Sequence, residues 1–147
     1  MSKGETGAGM VLNTPVQTIM DLTVLVMDGN ETVADAVERM KEKNTGSVLV
    51  THNGEIIGFA SKTYILFKVV AKGKDSSKVR LREIMSSPVL TIHPSATVAD
   101  ALAMMNKYVV RQLVITFRNS VMGMATRERI FEDIYKASVS STTLAMT

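Results

Sequence analysis

The alternation of apolar and polar residues along the chain predicts a series of short strands and helices. After a first apolar run and a turn, apolar residues recur at helical spacing from Thr32 onward. Two further apolar runs are joined by Asn53-Gly54, a strong hairpin signal. Helical spacing resumes at Ser61, so the pattern predicts the order β-α-β-β-α. The predicted strands are 24–27, 47–51 and 55–60.

The same plan occurs again 65 residues later. Between 19–65 and 84–130, 14 of 47 aligned positions are identical without a gap, whereas chance would give about three at average residue frequencies. The longest shared stretch is Thr-Val-Ala-Asp-Ala, at 32–36 and 97–101, and a weaker hairpin signal lies at 118–120. The chain is therefore predicted to hold two copies of one unit. The strands predicted in the second copy are 89–92, 112–117 and 121–125.

The repeat sets the expected domain boundaries. We expect a first unit at 14–79 and a second at 80–137, separated by the polar stretch 72–78. The flanks, 1–13 and 138–147, are rich in small residues and lack a clear period, so we expect flexible tails there.

Aspartates occupy the same place in both copies and suggest helix caps. Asp35 and Asp100 each follow a threonine by three residues, at Thr32 and Thr97. This is the spacing of a capping box, in which the two side chains satisfy amides of the first helical turn. We therefore interpret the aspartates as caps and not as paired acid–base carboxylates.

Composition narrows the chemistry that is open to the chain. Of 147 residues, 46% are apolar and 21% are charged, which suits a packed core. The absence of cysteine excludes disulfides, thiolate zinc sites and cysteine nucleophiles, and two histidines are too few for a histidine-rich metal site. A net charge of +3 fits an anionic ligand. The sequence has neither a secretory signal nor a long apolar run, so we expect a cytoplasmic protein without membrane insertion.

The order of these motifs resembles the cystathionine β-synthase (CBS) domain. In each copy Ile-Met and Val precede Thr-Val-Ala-Asp-Ala, and a later strand leads into Gly-apolar-apolar-Ser/Thr, at 58–61 and 123–126. Two copies in tandem resemble the CBS pair, or Bateman module, over residues 16–137. The resemblance implies an α/β (α+β) fold in which two pseudo-twofold-related β-α-β-β-α units pack sheet to sheet, with clefts between them.

The resemblance also implies regulation and not catalysis. CBS pairs typically bind adenine nucleotides or adenosyl compounds and pass the binding event to an enzyme, channel or transporter. We therefore expect a stand-alone regulatory module, with no cofactor, that senses AMP, ADP, ATP or S-adenosylmethionine and signals to a separate effector protein. We also expect a homodimer. No nucleophile elbow or P-loop supports an enzyme.

The candidate site departs from the family's nucleotide signature, Gly-apolar-apolar-Ser/Thr-x-x-Asp, whose aspartate accepts from the ribose hydroxyls. Tyr64 and Arg129 stand at that position. Losing such a charge-assisted bond costs about 1.5–3 kcal/mol, or roughly tenfold to a hundredfold in affinity per site. Arg127 and Arg129 at a helix start, with Arg111 before a strand, would suit a phosphate, although surface arginines are the simpler interpretation. The candidate ligand-binding residues are Gly123, Thr126, Arg127, Arg129, Arg111, Pro88, Val89, Ser61, Lys62, Tyr64 and His93.

Two alternative functions remain open at this point. Nucleic-acid binding is suggested by a basic series in the first copy and its flank, although acidic residues interrupt the series and no known motif accompanies it. The other alternative is a protein-interaction scaffold with empty clefts. The basic series is Lys62, Lys68, Lys72, Lys74, Lys78, Arg80 and Arg82.

Overall fold

The computed structural model describes residues 7–146, including the side chains of 7–139, and these residues form two compact units. The first, here called the central unit, is Thr23–Val89. The second, the terminal unit, combines residues 7–22 with residues 90–146.

The central unit is built on a three-stranded sheet. Its elements are β1 (Val26–Asp28), α2 (Val33–Lys43), β2 (Ser47–His52), β3 (Glu55–Ser61), α3 (Lys62–Ile65), a π-helical turn (Leu66–Val70) and α4 (Leu81–Ile84). The strand order is β1-β2-β3, with β1 parallel to β2 and β2 antiparallel to β3. Helix α2 makes the crossover that a parallel pair requires.

The terminal unit repeats this topology. Its elements are α1 (Gly7–Leu12), a 3-10 turn (Val16–Ile19), β4 (Thr91–Ile92), α5 (Val98–Tyr108), β5 (Gln112–Phe117), β6 (Ser120–Thr126) and α6 (Arg127–Met146). The order β4-β5-β6 has the same parallel and antiparallel pairing as in the central unit. The predicted β-α-β-β-α plan is therefore confirmed in both units.

The threonine caps form as predicted. Thr32 Oγ1 accepts from the Asp35 N–H at 3.2 Å, and Thr97 Oγ1 accepts from the Asp100 N–H at 3.0 Å. In the second copy Asp100 Oδ2 also accepts from the Thr97 N–H at 3.0 Å, which completes a capping box. The capping box is thus confirmed for Asp100, whereas Asp35 places its carboxylate in the first turn of α2 without the reciprocal bond.

Both hairpins turn through two residues with positive φ. Asn53 and Gly54 have φ of 51° and 80°, and Arg118 and Asn119 have 51° and 63°. Positive φ at both central positions belongs to a type I′ turn, whose twist matches that of the flanking strands. The weaker signal at Arg118 therefore forms the same kind of turn as Asn-Gly.

The equivalent helices α2 and α5 each end at a residue with a left-handed backbone conformation, but the two residue types tolerate that conformation to different degrees. Asn44 follows α2 with φ 52°, and Val109 follows α5 with φ 55°. Asparagine tolerates this conformation, but a β-branched side chain is an outlier there. Val109 is also 90% exposed, so its side chain gains little from burial.

The lead-in segments, 16–22 and 80–89, do not stay with the copies to which the repeat assigns them. Residues 80–89 fold in the central unit, although the repeat places them in 80–137. Residues 16–22 fold in the terminal unit, although the repeat places them in 14–79. Each compact unit is therefore built from both copies of the repeat.

Antiparallel bridges attach each lead-in segment to a sheet edge. In the central unit Phe59 and Ser86 exchange backbone hydrogen bonds of 2.9 and 2.7 Å. In the terminal unit Asp21 and Met124 do the same at 2.7 and 3.0 Å. The bridges satisfy backbone groups at the outer edges of β3 and β6.

Each unit has its own apolar core, to which its lead-in segment contributes. Leu81 and Ile84 are buried in the central core, and Val16 and Ile19 in the terminal core. Burying a large aliphatic side chain is worth about 1.5–3 kcal/mol. The lead-in segments are therefore integral parts of the two cores.

The predicted flexible tails are corrected where the structure describes them. Residues 7–12 form α1, which packs against α6, with Val11 and Leu12 against the terminal core. Residues 138–146 continue α6 to Met146. The reason for α1 is the apolar end of the segment, which gains burial on the core. Residues 1–6 and 147 lie outside the described part of the chain.

Candidate functional site

Four of the predicted site residues meet at one end of the terminal sheet. Gln112 at the start of β5 pairs with Thr126 at the end of β6, and the Arg127 N–H donates to the Arg111 carbonyl at 2.9 Å. Thr126 Oγ1 accepts from the Arg129 N–H at 3.2 Å. This arrangement brings Arg111, Arg127 and Arg129 to a single strand end, and we call these three residues the arginine cluster.

The arginines of the cluster are exposed, and the contacts that their guanidinium groups make are weak. Arg129 Nε lies 3.3 Å from Asp133 Oδ2, one turn along α6. Arg127 lies over the Phe131 ring at 5.4 Å. An exposed ion pair contributes about 0.2–1 kcal/mol, and an exposed cation–π contact about 0.5–1 kcal/mol. Either contact is weak enough to be exchanged for a bound anion.

The next turn of α6 carries a further ion pair. Lys136 Nζ lies 2.8 Å from Glu132 Oε1. The hydrogen bond and the charge of Lys136 lower the pKa of Glu132, and Glu132 in turn raises the pKa of Lys136. Both groups therefore stay ionised around neutral pH, and their charges offset each other along the helix.

Gly123 lies within β6, and His93 lies toward the hairpin end of the terminal sheet, opposite the arginine cluster. Gly123 is buried, and a Cβ added there would lie 2.7 Å from the Asp21 carbonyl oxygen. His93 follows β4 and sits edge-on to the Phe117 ring, with centroids 5.6 Å apart. Phe117 ends β5 at the hairpin, whereas Thr126 pairs with the start of β5. Five residues of antiparallel strand, or about 17 Å, separate the two ends.

The predicted site residues of the central unit are placed in equivalent positions. Ser61 Oγ caps α3 by accepting from the Tyr64 N–H at 3.2 Å, and the Lys62 N–H donates to the Gly46 carbonyl at 3.0 Å. Tyr64 is half-buried, and Lys68 Nζ lies 4.6 Å from its ring centre. Tyr64 is thus held within its own unit by a cation–π contact.

Pro88 and Val89 belong to the same unit as Ser61. They follow the bridge between Phe59 and Ser86, and the Ser87–Pro88 peptide bond is cis. Pro88 is exposed and Val89 half-buried. Their part in ligand binding stays a prediction.

The central unit also contains a cleft that the sequence analysis missed. It has a volume of about 490 Å³ and lies beside the β2–β3 hairpin, under the lead-in segment. We call it the hairpin-end cleft. It is lined by Gly29, Asn30, His52, Ile57, Arg82, Glu83 and Met85. The sequence did contain a signal for this cleft, because the two copies differ there. Gln17 and Thr18 occupy the positions equivalent to Arg82 and Glu83.

Comparison with known proteins identifies the family. The sequence profile described as CBS domain matches residues 16–71 and again 81–136. The chain belongs to the CBS domain family. The recognition made from the tandem motifs is thereby confirmed, and the two matches follow the two copies of the sequence repeat.

Two relatives align with most of this chain. An uncharacterized protein of Methanocaldococcus jannaschii is 32% identical over 126 residues, which is 84% of this chain and 67% of that protein. The CBS domain-containing protein YhcV of Bacillus subtilis is 27% identical over 109 residues, covering 74% of this chain and 77% of YhcV.

Two solved structures share the fold. The hexameric CBS-CP12 protein of bloom-forming cyanobacteria aligns with a TM-score of 0.74 at 29% identity, over 82% of this chain and 67% of that one. An uncharacterized conserved protein from Pyrococcus horikoshii aligns with a TM-score of 0.72 at 21% identity, over 82% and 92%. The second likeness shows the fold alone.

Within residues 7–146 no helix combines the length and apolar character needed to cross a bilayer. In the same part of the chain no group of three or more His, Asp or Glu side chains is placed to hold a metal ion.

Proposed function

We propose that this CBS-domain protein is a cytoplasmic, non-catalytic regulator that binds an anionic metabolite at the arginine cluster and signals to a separate effector protein. Adenine nucleotides are the first candidates, since the family resemblance favours adenosyl ligands. The named relatives are CBS-domain or uncharacterized proteins, which is consistent with a regulatory module.

The observation that carries this proposal is the backbone bond between Arg127 and Arg111. It joins the residue before β5 to the first residue of α6 at 2.9 Å. Because Arg129 lies two residues further on, all three arginines emerge from one strand end. Guanidinium groups bind phosphate oxygens in bidentate fashion.

A hydrogen bond from Arg129 to a bound anion should contribute more free energy than the present ion pair of Arg129 with Asp133. A hydrogen bond to a charged group contributes about 1.5–3 kcal/mol, against about 0.2–1 kcal/mol for an exposed ion pair. A phosphate would therefore draw Arg129 away from Asp133 at little cost.

Phosphate contacts should matter more than ribose contacts in this chain. The ribose-binding aspartate is replaced by Arg129, and the Thr126 hydroxyl accepts from the Arg129 N–H. That hydroxyl keeps its own proton to donate. We therefore expect affinity to rise from AMP to ADP to ATP.

Titration calorimetry with AMP, ADP and ATP tests the proposal. We expect Arg129→Ala to weaken ATP binding by roughly tenfold or more, since one charge-assisted contact is lost. The matched control is Arg118→Ala, which removes the same charge at the hairpin end of the same sheet. Equal weak heats for the unaltered protein and Arg129→Ala would remove the proposal.

We also propose that the protein assembles as a homodimer through α6. Phe131, Tyr135 and Val139 are exposed at intervals of four residues and so share one face of this helix. The cyanobacterial CBS-CP12 relative is itself hexameric. Light scattering coupled to size exclusion should give the dimer mass, and Tyr135→Glu should give the monomer mass. A monomeric unaltered protein would contradict this assembly.

A further inference from the structure

We propose that the hairpin-end cleft binds a free amino acid that carries a large apolar side chain. The cleft lies in the central unit, at the hairpin end of β3, whereas Ser61 lies at the other end of that strand. The cleft shares no residue with the arginine cluster, which belongs to the terminal unit, and the inference goes beyond the function proposed above.

The floor of the cleft is apolar. Ile57 of β3 and Met85 of the lead-in segment line it, and both are only partly buried against the central core. Gly29 leaves its wall without a side chain, and a Cβ there would lie 3.2 Å from Arg82 Cβ. The volume of about 490 Å³ accommodates a large aliphatic or aromatic side chain.

Two oppositely charged residues, Arg82 and Glu83, also line the cleft. Within the described part of the chain, no ion pair or side-chain hydrogen bond engages the Arg82 guanidinium. Glu83 uses one oxygen, Oε2, to accept from the Arg80 N–H at 2.6 Å, and a carboxylate offers about four acceptor sites. An α-carboxylate would pair with Arg82 and an α-ammonium with Glu83. A ligand with a single charge would leave one of these groups unmatched.

The other copy shows that the fold does not require Arg82. At equivalent positions, 65 residues away, the terminal unit has Gln17 for Arg82, Thr18 for Glu83 and Phe117 for His52. Pro94, which is buried, replaces Gly29. The terminal unit nevertheless forms the same strand order and an equivalent register. The charged cleft is therefore an addition to the central unit.

The test uses L-phenylalanine as the probe and backbone amide NMR as the measurement. We expect titration of the full chain to shift the amide signals of Gly29, Asn30 and His52. Two truncated probes separate the charges: 3-phenylpropionate lacks the ammonium and phenethylamine lacks the carboxylate. Each should bind roughly tenfold more weakly or worse, since each loses a charge-assisted contact.

Variants complete the experiment. Arg82→Gln installs the residue of the other copy at an exposed position and should weaken L-phenylalanine binding by roughly tenfold or more. Lys78→Gln removes an equal charge outside the cleft and should leave binding unchanged. Absence of shifts at the cleft amides, equal binding by 3-phenylpropionate, or unchanged binding in Arg82→Gln would each overturn the proposal. Nucleotide binding at the arginine cluster is measured separately and does not depend on these results.

Discussion

Replacing Gly123 with alanine should destabilise the protein in the absence of any ligand. The added Cβ would lie 2.7 Å from the Asp21 carbonyl oxygen and 3.0 Å from Met20 Cγ and Sδ. A carbon–oxygen contact normally lies at about 3.3–3.6 Å. Because Asp21 contributes a backbone atom, a side-chain rotation cannot relieve the contact. The lead-in segment itself must move.

The expected cost follows from that movement. Overpacking a tight site costs about 1–3 kcal/mol. The displacement also stretches the two backbone hydrogen bonds between Asp21 and Met124, which are 2.7 and 3.0 Å long, and each is worth about 0.5–1.5 kcal/mol. We therefore expect a loss of about 2–4 kcal/mol in the free energy of unfolding. For a chain of this size, that loss lowers Tm by about 4–16 °C.

Circular dichroism during heating, and separately in urea, measures this loss. The control is Gly46→Ala, because a Cβ at Gly46 would meet only Lys62, at an ordinary 3.6 Å. We expect its Tm to stay within about 2 °C of the unaltered protein. If Gly123→Ala had the same Tm as this control, the close approach of the lead-in segment would not be the reason for the glycine.

Three further predictions concern other parts of the chain. Val109→Asn, which installs the residue of the first copy, should raise the free energy of unfolding in urea by about 1 kcal/mol, since asparagine tolerates the left-handed cap; an unchanged midpoint would contradict this. The fragment 23–89 should unfold cooperatively on heating. The fragment 14–79, of almost equal length, should not, because it lacks helix α4. The reverse order of stability would refute the exchange of lead-in segments. Hydrogen bonds from the Ser77 side chain and backbone lower the pKa of Asp75 below 3.8. Asp75 therefore stabilises the turn that follows it, within the central unit, at pH values above its unfolded pKa. This contribution is lost as the pH falls through the folded pKa. As the pH falls through the folded pKa, the Ser77 amide should lose protection against exchange in the unaltered protein but not in Asp75→Asn. Identical pH profiles of protection in the two proteins would contradict this prediction.

Local features of the fold were predictable because their causes lie close together in the sequence. A threonine three residues before an aspartate specifies a helix start, and Asn53-Gly54 specifies a two-residue turn. The repeat itself transferred these predictions from one copy to the other, including the hairpin at Arg118. Strand ends were less accurate: the predicted run 89–92 became a two-residue strand at 91–92.

The destination of the lead-in segments could not be predicted from the repeat. Identity between Met20 and Met85 shows that the two segments are alike, but not which sheet edge each one covers. That choice depends on contacts distant in sequence, such as those beneath Gly58 and Gly123. The motif glycines Gly58 and Gly123 show this dependence, since the structure places a lead-in segment against each of them; the part of Gly123 in ligand binding stays a prediction.

The candidate site was partly predictable. The pairing of strand ends that gathers the arginine cluster follows from the β-hairpin, and the contact of Arg129 with Asp133 follows from helical spacing. The hairpin-end cleft was missed because its lining comes from the turn after β1, from β2 and β3, and from α4 and the residue that follows it. Only the contrast of Arg82 with Gln17 would have pointed to it.

The exchange of lead-in segments has a consequence for the origin of the protein. A peptide with a single copy of the repeat would need a second molecule to cover the open edge of its sheet. A single-copy ancestor would then form a pair of chains that exchange their N-terminal segments, an exchange that the tandem chain makes internal. A present-day single repeat, supplied with the missing segment as a synthetic peptide, offers a way to reconstruct that step.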